Sequence, residues 1–299
     1  LVNAGSSAGT EDWTAQVIAS LGEVFVHGVA VRPGHPVIFG MITPPPPNPL
    51  SLIPVIGVPG YPGSAALTGE IFVEPRLSKW LGRPALEPQT LEATLSRKIM
   101  SPPGDDDYVR VTVGQVGGRV IATPLARGAG VITTMVRADG LLRIPSFIEG
   151  LNAGEEISVE LLRPEEEIEN TILCTGSHDL AIGVLEDQLK LQHPGLKIAA
   201  TNVGSLGGLL ALQRGETHIA GTHLLDPETG VYNIPDIKKT IPKTPVVLVH
   251  LAQREQGILV LRGNPKSIRG LNDLARKDCR FVNRQPGSGT RVLLDYELK

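Results

Sequence analysis

Ile53-Pro54-Val55-Ile56-Gly57-Val58-Pro59-Gly60-Tyr61-Pro62-Gly63-Ser64-Ala65 decides the fold class. The β-branched run Ile53 to Val58 reads as a strand, and the Pro/Gly cluster from Gly60 to Gly63 turns the chain. Ser64 to Leu77 then reads as a helix. Upstream, Leu1 to Ala4 ends a strand, Gly5-Ser6-Ser7-Ala8-Gly9 is a loop, and Trp13, Val17, Ile18 and Leu21 fall on one helical face that Gly22 ends. Glu23 to Val31 and Pro36 to Met41 read as further strands. Strand, glycine loop, helix, repeated, predicts an α/β sheet with loops at the carboxyl ends of its strands.

Outward from there the character changes twice. From about residue 85 to 164 the pattern is β-rich, with Tyr108 to Val113, Arg119 to Thr123 and Ile157 to Leu162 as short strands, which predicts a small barrel or sandwich. Past the acidic run Glu165-Glu166-Glu167-Ile168-Glu169 the α/β rhythm returns. Helices are expected at His178 to Leu191, Leu206 to Gln213 and Leu271 to Arg276. Strands are expected at Thr171 to Cys174, Lys197 to Thr201, Val246 to Leu251, Gly257 to Leu261 and Cys279 to Val282. The run Pro44-Pro45-Pro46-Pro47-Asn48-Pro49 cannot donate to a ladder and reads as a polyproline-like loop. These seams divide the chain into domains at 1–82, 83–165 and 166–299.

The bulk numbers exclude several classes. A net charge of -3 and aromatics at 4% argue against nucleic acid, which calls for a basic face or a stacking platform. No long uncharged apolar run could span a bilayer. Cys174 and Cys279 are far apart, so a disulfide framework or zinc site is not expected, and a reducing, cytoplasmic setting fits. The chain begins at Leu1 inside a strand and ends within a helix at Thr290 to Lys299, so it reads as a fragment with sequence missing at both ends.

Three loops of the first part carry candidate chemistry. The Gly5 to Asp12 loop can hold an anion on backbone N–H groups at a helix start, and a plain turn capped by Thr10 or Asp12 would look the same. Val31-Arg32-Pro33-Gly34-His35-Pro36 sets an arginine and a titratable histidine on a rigid turn, which also suits ordinary surface residues. The third loop is the opening Gly57 to Ala65 stretch.

Taken in order, these three motifs resemble the molybdopterin molybdotransferase (gephyrin-like) family. Its pattern runs roughly S-G-G-x-S-x-G-x-x-D, then L-G-E followed by K-P-G-K-P, then G-L-P-G-N-P-x-S-A. The matching stretches are Gly5 to Asp12, Leu21-Gly22-Glu23, Arg32 to Pro36 and Gly57 to Ala65. The segment Ala138-Asp139-Gly140-Leu141-Leu142-Arg143-Ile144-Pro145 is similar to the family's S-A-N-x-L-x-x-x-P, and the likeness covers about residues 1 to 164. It implies a three-layer MogA-like α/β domain followed by a β-barrel or sandwich. It implies insertion of molybdate into adenylylated molybdopterin with release of AMP, Mg2+, and a homodimer. Gly5, Ser6, Ser7 and Gly9 would hold the pterin or its phosphate, and Asp12 would be catalytic, holding the metal or organising hydrolysis. Arg32, His35 and Pro36 stand at the K-P-G-K-P positions, as catalytic and oxyanion-binding groups. Pro59, Gly60 and Ser64 would contact substrate, Arg110 matches an arginine near the oxyanion, and Thr134 a hydroxyl there. Both family lysines are replaced, by Arg32 and His35, and the usual asparagine by Tyr61. Catalysis could therefore be weakened and the chain act instead as a sensor of molybdate or another small solute.

The last part offers three similar junctions: Thr175-Gly176-Ser177-His178, Val203-Gly204-Ser205 and Gly287-Ser288-Gly289-Thr290-Arg291. If they converge, Ser177, Ser205, Ser288, Thr290 and Arg291 make a net of donors for an oxyanion or small polar solute; otherwise they are separate helix caps. This stretch resembles a PBP-like domain, which implies a type II solute-binding fold, cut short here. His223 and Asp226 read as a hydrogen-bonded turn in preference to ligand contacts.

Overall fold

The computed structural model describes residues 1–3, 5, 12–44, 52–84, 87–128 and 130–299. The proline run from 45 onward and candidates Ser6, Ser7 and Gly9 lie outside them. The chain forms two compact units, Leu1–Thr171 and Ile172–Lys299. Among the described residues no helix is long and apolar enough to cross a membrane.

The first unit opens with a sheet ordered β1-β5-β4-β2, made by β1 (Val2–Asn3), β2 (Gly22–His27), β4 (Ile38–Ile42) and β5 (Ile53–Val58). β1 and β5 are parallel, with Val2 opposite Gly57 and Asn3 opposite Val58. Helix α1 (Thr14–Leu21) packs Ile18 against Ile38 and Val55. The expected helical face is only partly buried, because Trp13, Val17 and Leu21 remain exposed. Glu23 to Val31 is not one strand. Gly28, at a φ of 94°, breaks it, and β3 (Val31–Arg32) joins a different sheet.

The helix after Tyr61 begins at Pro62 rather than Ser64. It runs as α2 (Pro62–Thr68), a π turn (Gly69–Val73) and α3 (Glu74–Trp80). Pro75 explains the wide turn, since it lacks the N–H that a regular α ladder needs there. The Glu74 N–H reaches back to the Gly69 carbonyl instead.

Residues 90–161 close into a small barrel. Its strands are β6 (Thr90–Leu95), β8 (Asp106–Val116), β9 (Arg119–Pro124), β10 (Gly140–Ile144) and β12 (Glu156–Leu161). The order β10-β12-β6-β9-β8 returns on itself because β8 also pairs with β10. Alternation drives this: Val109, Val111 and Val113, Ala93 and Leu95, and Ile157 and Val159 point inward two residues apart. A short pair, β7 (Ile99–Met100) with β11 (Gly150–Leu151), and helix α4 (Ile132–Arg137) complete it. The acidic run forms helix α5 (Glu165–Glu169), whose Ile168 joins the barrel core while its glutamates face outward.

The second unit holds a three-stranded sheet ordered β14-β13-β15, from β13 (Thr171–Gly176), β14 (Lys197–Asn202) and β15 (Ile219–Gly221). β13 and β15 are parallel. Helices α6 (Leu180–Gln192) and α7 (Ser205–Arg214) pack on it, and α8 (Ile234–Thr240) and α9 (Gly289–Glu297) follow. Leu271–Ala275 is a single 3-10 turn, not the expected α-helix. The strands expected at 246–251, 257–261 and 279–282 are absent among the described residues. Their apolar pattern is strand-like, but a strand exists only where a neighbour supplies its ladder, and none is paired to them. Cys174 is buried, Cys279 half-buried, and both are free.

Candidate functional site

The parallel pairing of β1 with β5 sends two of the three motif loops off neighbouring carboxyl ends. After β1, Gly5 adopts a φ of 66°, and its carbonyl accepts the N–H of Thr14 at 3.2 Å. Asp12 stands half-buried just before α1. After β5, Pro59 is buried, Gly60 exposed, and Ser64 buried in the first turn of α2. Tyr61 stays exposed and lies against Gly130, where an added Cβ would stand 3.7 Å from its ring.

The second motif reaches the same region. Gly34, at a φ of 125°, permits a turn so close to α2 that a Cβ there would sit 3.6 Å from Thr68 Oγ1 and 3.9 Å from the Ser64 carbonyl. Thr68 Oγ1 is buried with no hydrogen-bond partner among the described residues. Pro36 is half-buried. Arg110, on β8, donates through Nη2 to the Gly63 carbonyl at 3.2 Å. Arg110 and Pro33 line a cavity of about 70 Å3 together with Leu67, Glu70, Tyr108 and Met135. Burial pulls the Arg110 pKa down, against the opposing charge of Glu70. Burial likewise raises that of Glu70, which Arg110 partly offsets. Thr134 is buried, and its hydroxyl donates to the Val131 carbonyl at 2.8 Å.

The cations of the turn are not free-standing. Arg32 Nη2 lies 3.0 Å from Asp105 Oδ2, and His35 Nδ1 lies 3.4 Å from Asp105 Oδ1. This follows from strand pairing: β3 runs parallel to β8 with Val31 opposite Asp106, which brings the residue before β8 to Arg32. The neighbouring aspartates have other partners. Asp106 pairs with Arg143 at 2.6 Å, and Asp107 is buried between Ser101 and Arg127. Asp105 and Glu70 escaped sequence reasoning because neither falls in a loop motif. Among the described residues no three His, Cys, Asp or Glu side chains gather as a metal site. Among the described residues Asp12 alone does not make a fitting Mg2+ site.

In the second unit two of the three hydroxyl loops do meet. Ser177 Oγ and Ser205 Oγ are 2.7 Å apart, and Ser205 Oγ accepts the backbone N–H of His223 at 3.1 Å. His223 Nδ1 is 3.4 Å from the same oxygen, so His223 belongs to this cluster and not merely to a turn. Gly289 comes so close that a Cβ there would sit 2.9 Å from the imidazole. Burial lowers the His223 pKa, Arg254 lowers it further, and Asp179 opposes them. Ser288 instead caps α9, accepting the Arg291 N–H at 3.2 Å. Arg291 pairs with Asp295 at 3.1 Å, and Thr290 is exposed. Asp226 holds a local turn through Glu228 N–H and the Thr229 hydroxyl, as its sequence suggested.

Comparison with known proteins gives the same order of parts. Residues 1–79 match the family described as "Probable molybdopterin binding domain", residues 92–162 the "MoeA C-terminal region (domain IV)", and residues 186–299 the "PBP superfamily domain". An uncharacterised Bacillus subtilis protein, YvgK, is 35% identical over 148 residues, 49% of this chain and 47% of its own length. The molybdopterin molybdenumtransferase of the same organism is 26% identical over 167 residues, 55% of this chain and 37% of its own. A solved structure titled as a molybdopterin biosynthesis moea protein from Pyrococcus horikosii is 37% identical, covering 51% of this chain and 35% of that one, at a TM-score of 0.41. The chain thus spans less than half the length of these relatives. Its first part resembles the molybdopterin molybdotransferases and its second a PBP-like domain, in one polypeptide.

Proposed function

We propose that this chain serves molybdenum cofactor biosynthesis in the cytoplasm: residues 1–82 bind adenylylated molybdopterin, residues 83–165 complete the oxyanion site, and residues 166–299 bind a small solute. The observation that carries the reading is the meeting of the Arg32–Pro36 turn, the Pro59–Ser64 turn and Arg110 within one unit. A tetrahedral dianion needs cations and N–H donors on stiff supports, and two Pro-Gly turns and a barrel strand supply them. Molybdate is held there by Arg32, His35 and Arg110, with Pro36 fixing the turn. The pterin phosphate is assigned to Gly5, Ser6, Ser7 and Gly9, with Asp12, Pro59, Gly60 and Ser64 as further substrate contacts. Thr134 shapes the wall, its hydroxyl being committed to Val131. The residues' task is to orient molybdate against the dithiolene as AMP departs. The working form is a homodimer.

The assay is molybdate-dependent release of AMP from adenylylated molybdopterin by the whole chain. Arg32→Ala is expected to lower turnover about 100-fold, the loss typical when one donor to a developing charge is removed. Undiminished turnover would take Arg32 out of the site.

A second reading, a molybdate or small-solute sensor, draws on the Ser177–Ser205–His223 cluster together with the engagement of both turn cations by Asp105. Tight solute binding by residues 166–299 with no AMP release from the same preparation favours it over the transferase.

A further inference from the structure

We infer that Asp105 is a positioning residue for the oxyanion site, one carboxylate that fixes both the Arg32 guanidinium and the His35 imidazole of the Arg32–Pro36 turn. The inference rests on the reading of that turn as an oxyanion site. Each Asp105 oxygen takes one partner, Oδ2 the Arg32 guanidinium at 3.0 Å and Oδ1 the His35 imidazole at 3.4 Å. The arrangement is stiff on the carboxylate side. The Asp105 side chain is 16% exposed although it stands at a strand entrance, while Arg32 and His35 are 46% and 65% exposed. Its backbone is pinned as well. Gly104 N–H donates to the Ser146 carbonyl, and Asp106 N–H to the Ala30 carbonyl, at 2.8 and 2.9 Å.

What remains for a ligand is specific. Among the described residues no partner is present for Nε and Nη1 of Arg32 or for Nε2 of His35. A long arginine side chain left to itself populates many rotamers, and holding it at one end removes much of that freedom before an anion arrives. The carboxylate also cancels the Arg32 charge. Arg32 therefore presents fixed N–H donors with little net charge, unlike a mobile point charge. Such a site selects a small oxyanion with several acceptor oxygens by geometry, and bulk anions of equal charge and fewer acceptors are disfavoured.

The test measures molybdate affinity of the whole chain by titration calorimetry, with chloride as the competing simple anion, alongside the thermal midpoint. Asp105→Asn and Asp105→Ala are expected to weaken molybdate binding about tenfold or more, a difference of about 1.4 kcal/mol. Asp105→Glu, which keeps the carboxylate, is expected to recover most of it. Midpoints close to wild type separate positioning from unfolding. Asp105→Asn binding as tightly as wild type, while Arg32→Ala loses binding, overturns the role of Asp105 and leaves the oxyanion site standing. No molybdate binding by wild type overturns both.

Discussion

His223 touches Ser205 through both its backbone and its ring, with Arg254 and Asp179 supplying the nearby charges. Burial makes the neutral imidazole the folded form, so the folded pKa lies below the ordinary value of 6.5. The sign follows. Stability from this group is complete above 6.5 and is lost as pH falls through that value, where the unfolded chain takes up the proton more readily. The melting midpoint of the unit 172–299 is expected to drop between about pH 7.5 and about pH 5.5, and His223→Asn should flatten that drop. Parallel losses in both proteins would mean another group titrates. The sequence hinted at Ser177 and Ser205 through their glycine loops. His223 sits in a stretch with no such loop, and only the fold places it between two helix starts. His223 was at least weighed as a ligand contact, whereas Asp105 was hidden: its bond to Arg32 spans 73 residues and exists because β3 lies alongside β8.

Elements were more legible than contacts. Period-two alternation marked β8, β9 and β12, and glycine turns marked the starts of α6 and α7, because both signals are local. The π turn after α2 depended on Pro75, a residue readable in sequence but easily absorbed into a longer helix. Two helical glycines show how packing overrides propensity. In α7, a Cβ on Gly208 would stand 2.6 Å from the Thr175 carbonyl oxygen and 2.8 Å from the Gly176 Cα, both backbone atoms of β13. In α6, Gly183 has nothing within 4 Å of such a Cβ. Alanine normally stabilises a helix interior by about 0.5–1 kcal/mol over glycine. Gly183→Ala should therefore raise the thermal midpoint of the second unit, whereas Gly208→Ala should lower it by forcing α7 away from β13. Two increases would mean that α7 has room to move.

For the whole molecule, length and rhythm foretold an α/β beginning, a β-rich middle and an α/β end. They left the middle open between a barrel and a sandwich, and what decides for the barrel is β8 accepting two neighbours, β9 and β10, at once. They overstated the end, where three apolar stretches were read as strands. Of these, Val246 to Leu251 has the sharper consequence. Val247 is 88% exposed and Val249 76%, and neither belongs to any ladder. An exposed apolar run with three valines, its N–H and C=O groups in no ladder among the described residues, is the kind of segment from which cross-β assembly grows. The chain should therefore scatter light increasingly with protein concentration and time. Replacing both positions with glutamate (V247E/V249E) should suppress that scattering without moving the thermal midpoint, and unchanged scattering would place the sticky surface elsewhere. On this expectation, handling of the polypeptide in vitro turns on colloidal attraction along these six residues as much as on the folding of its two units.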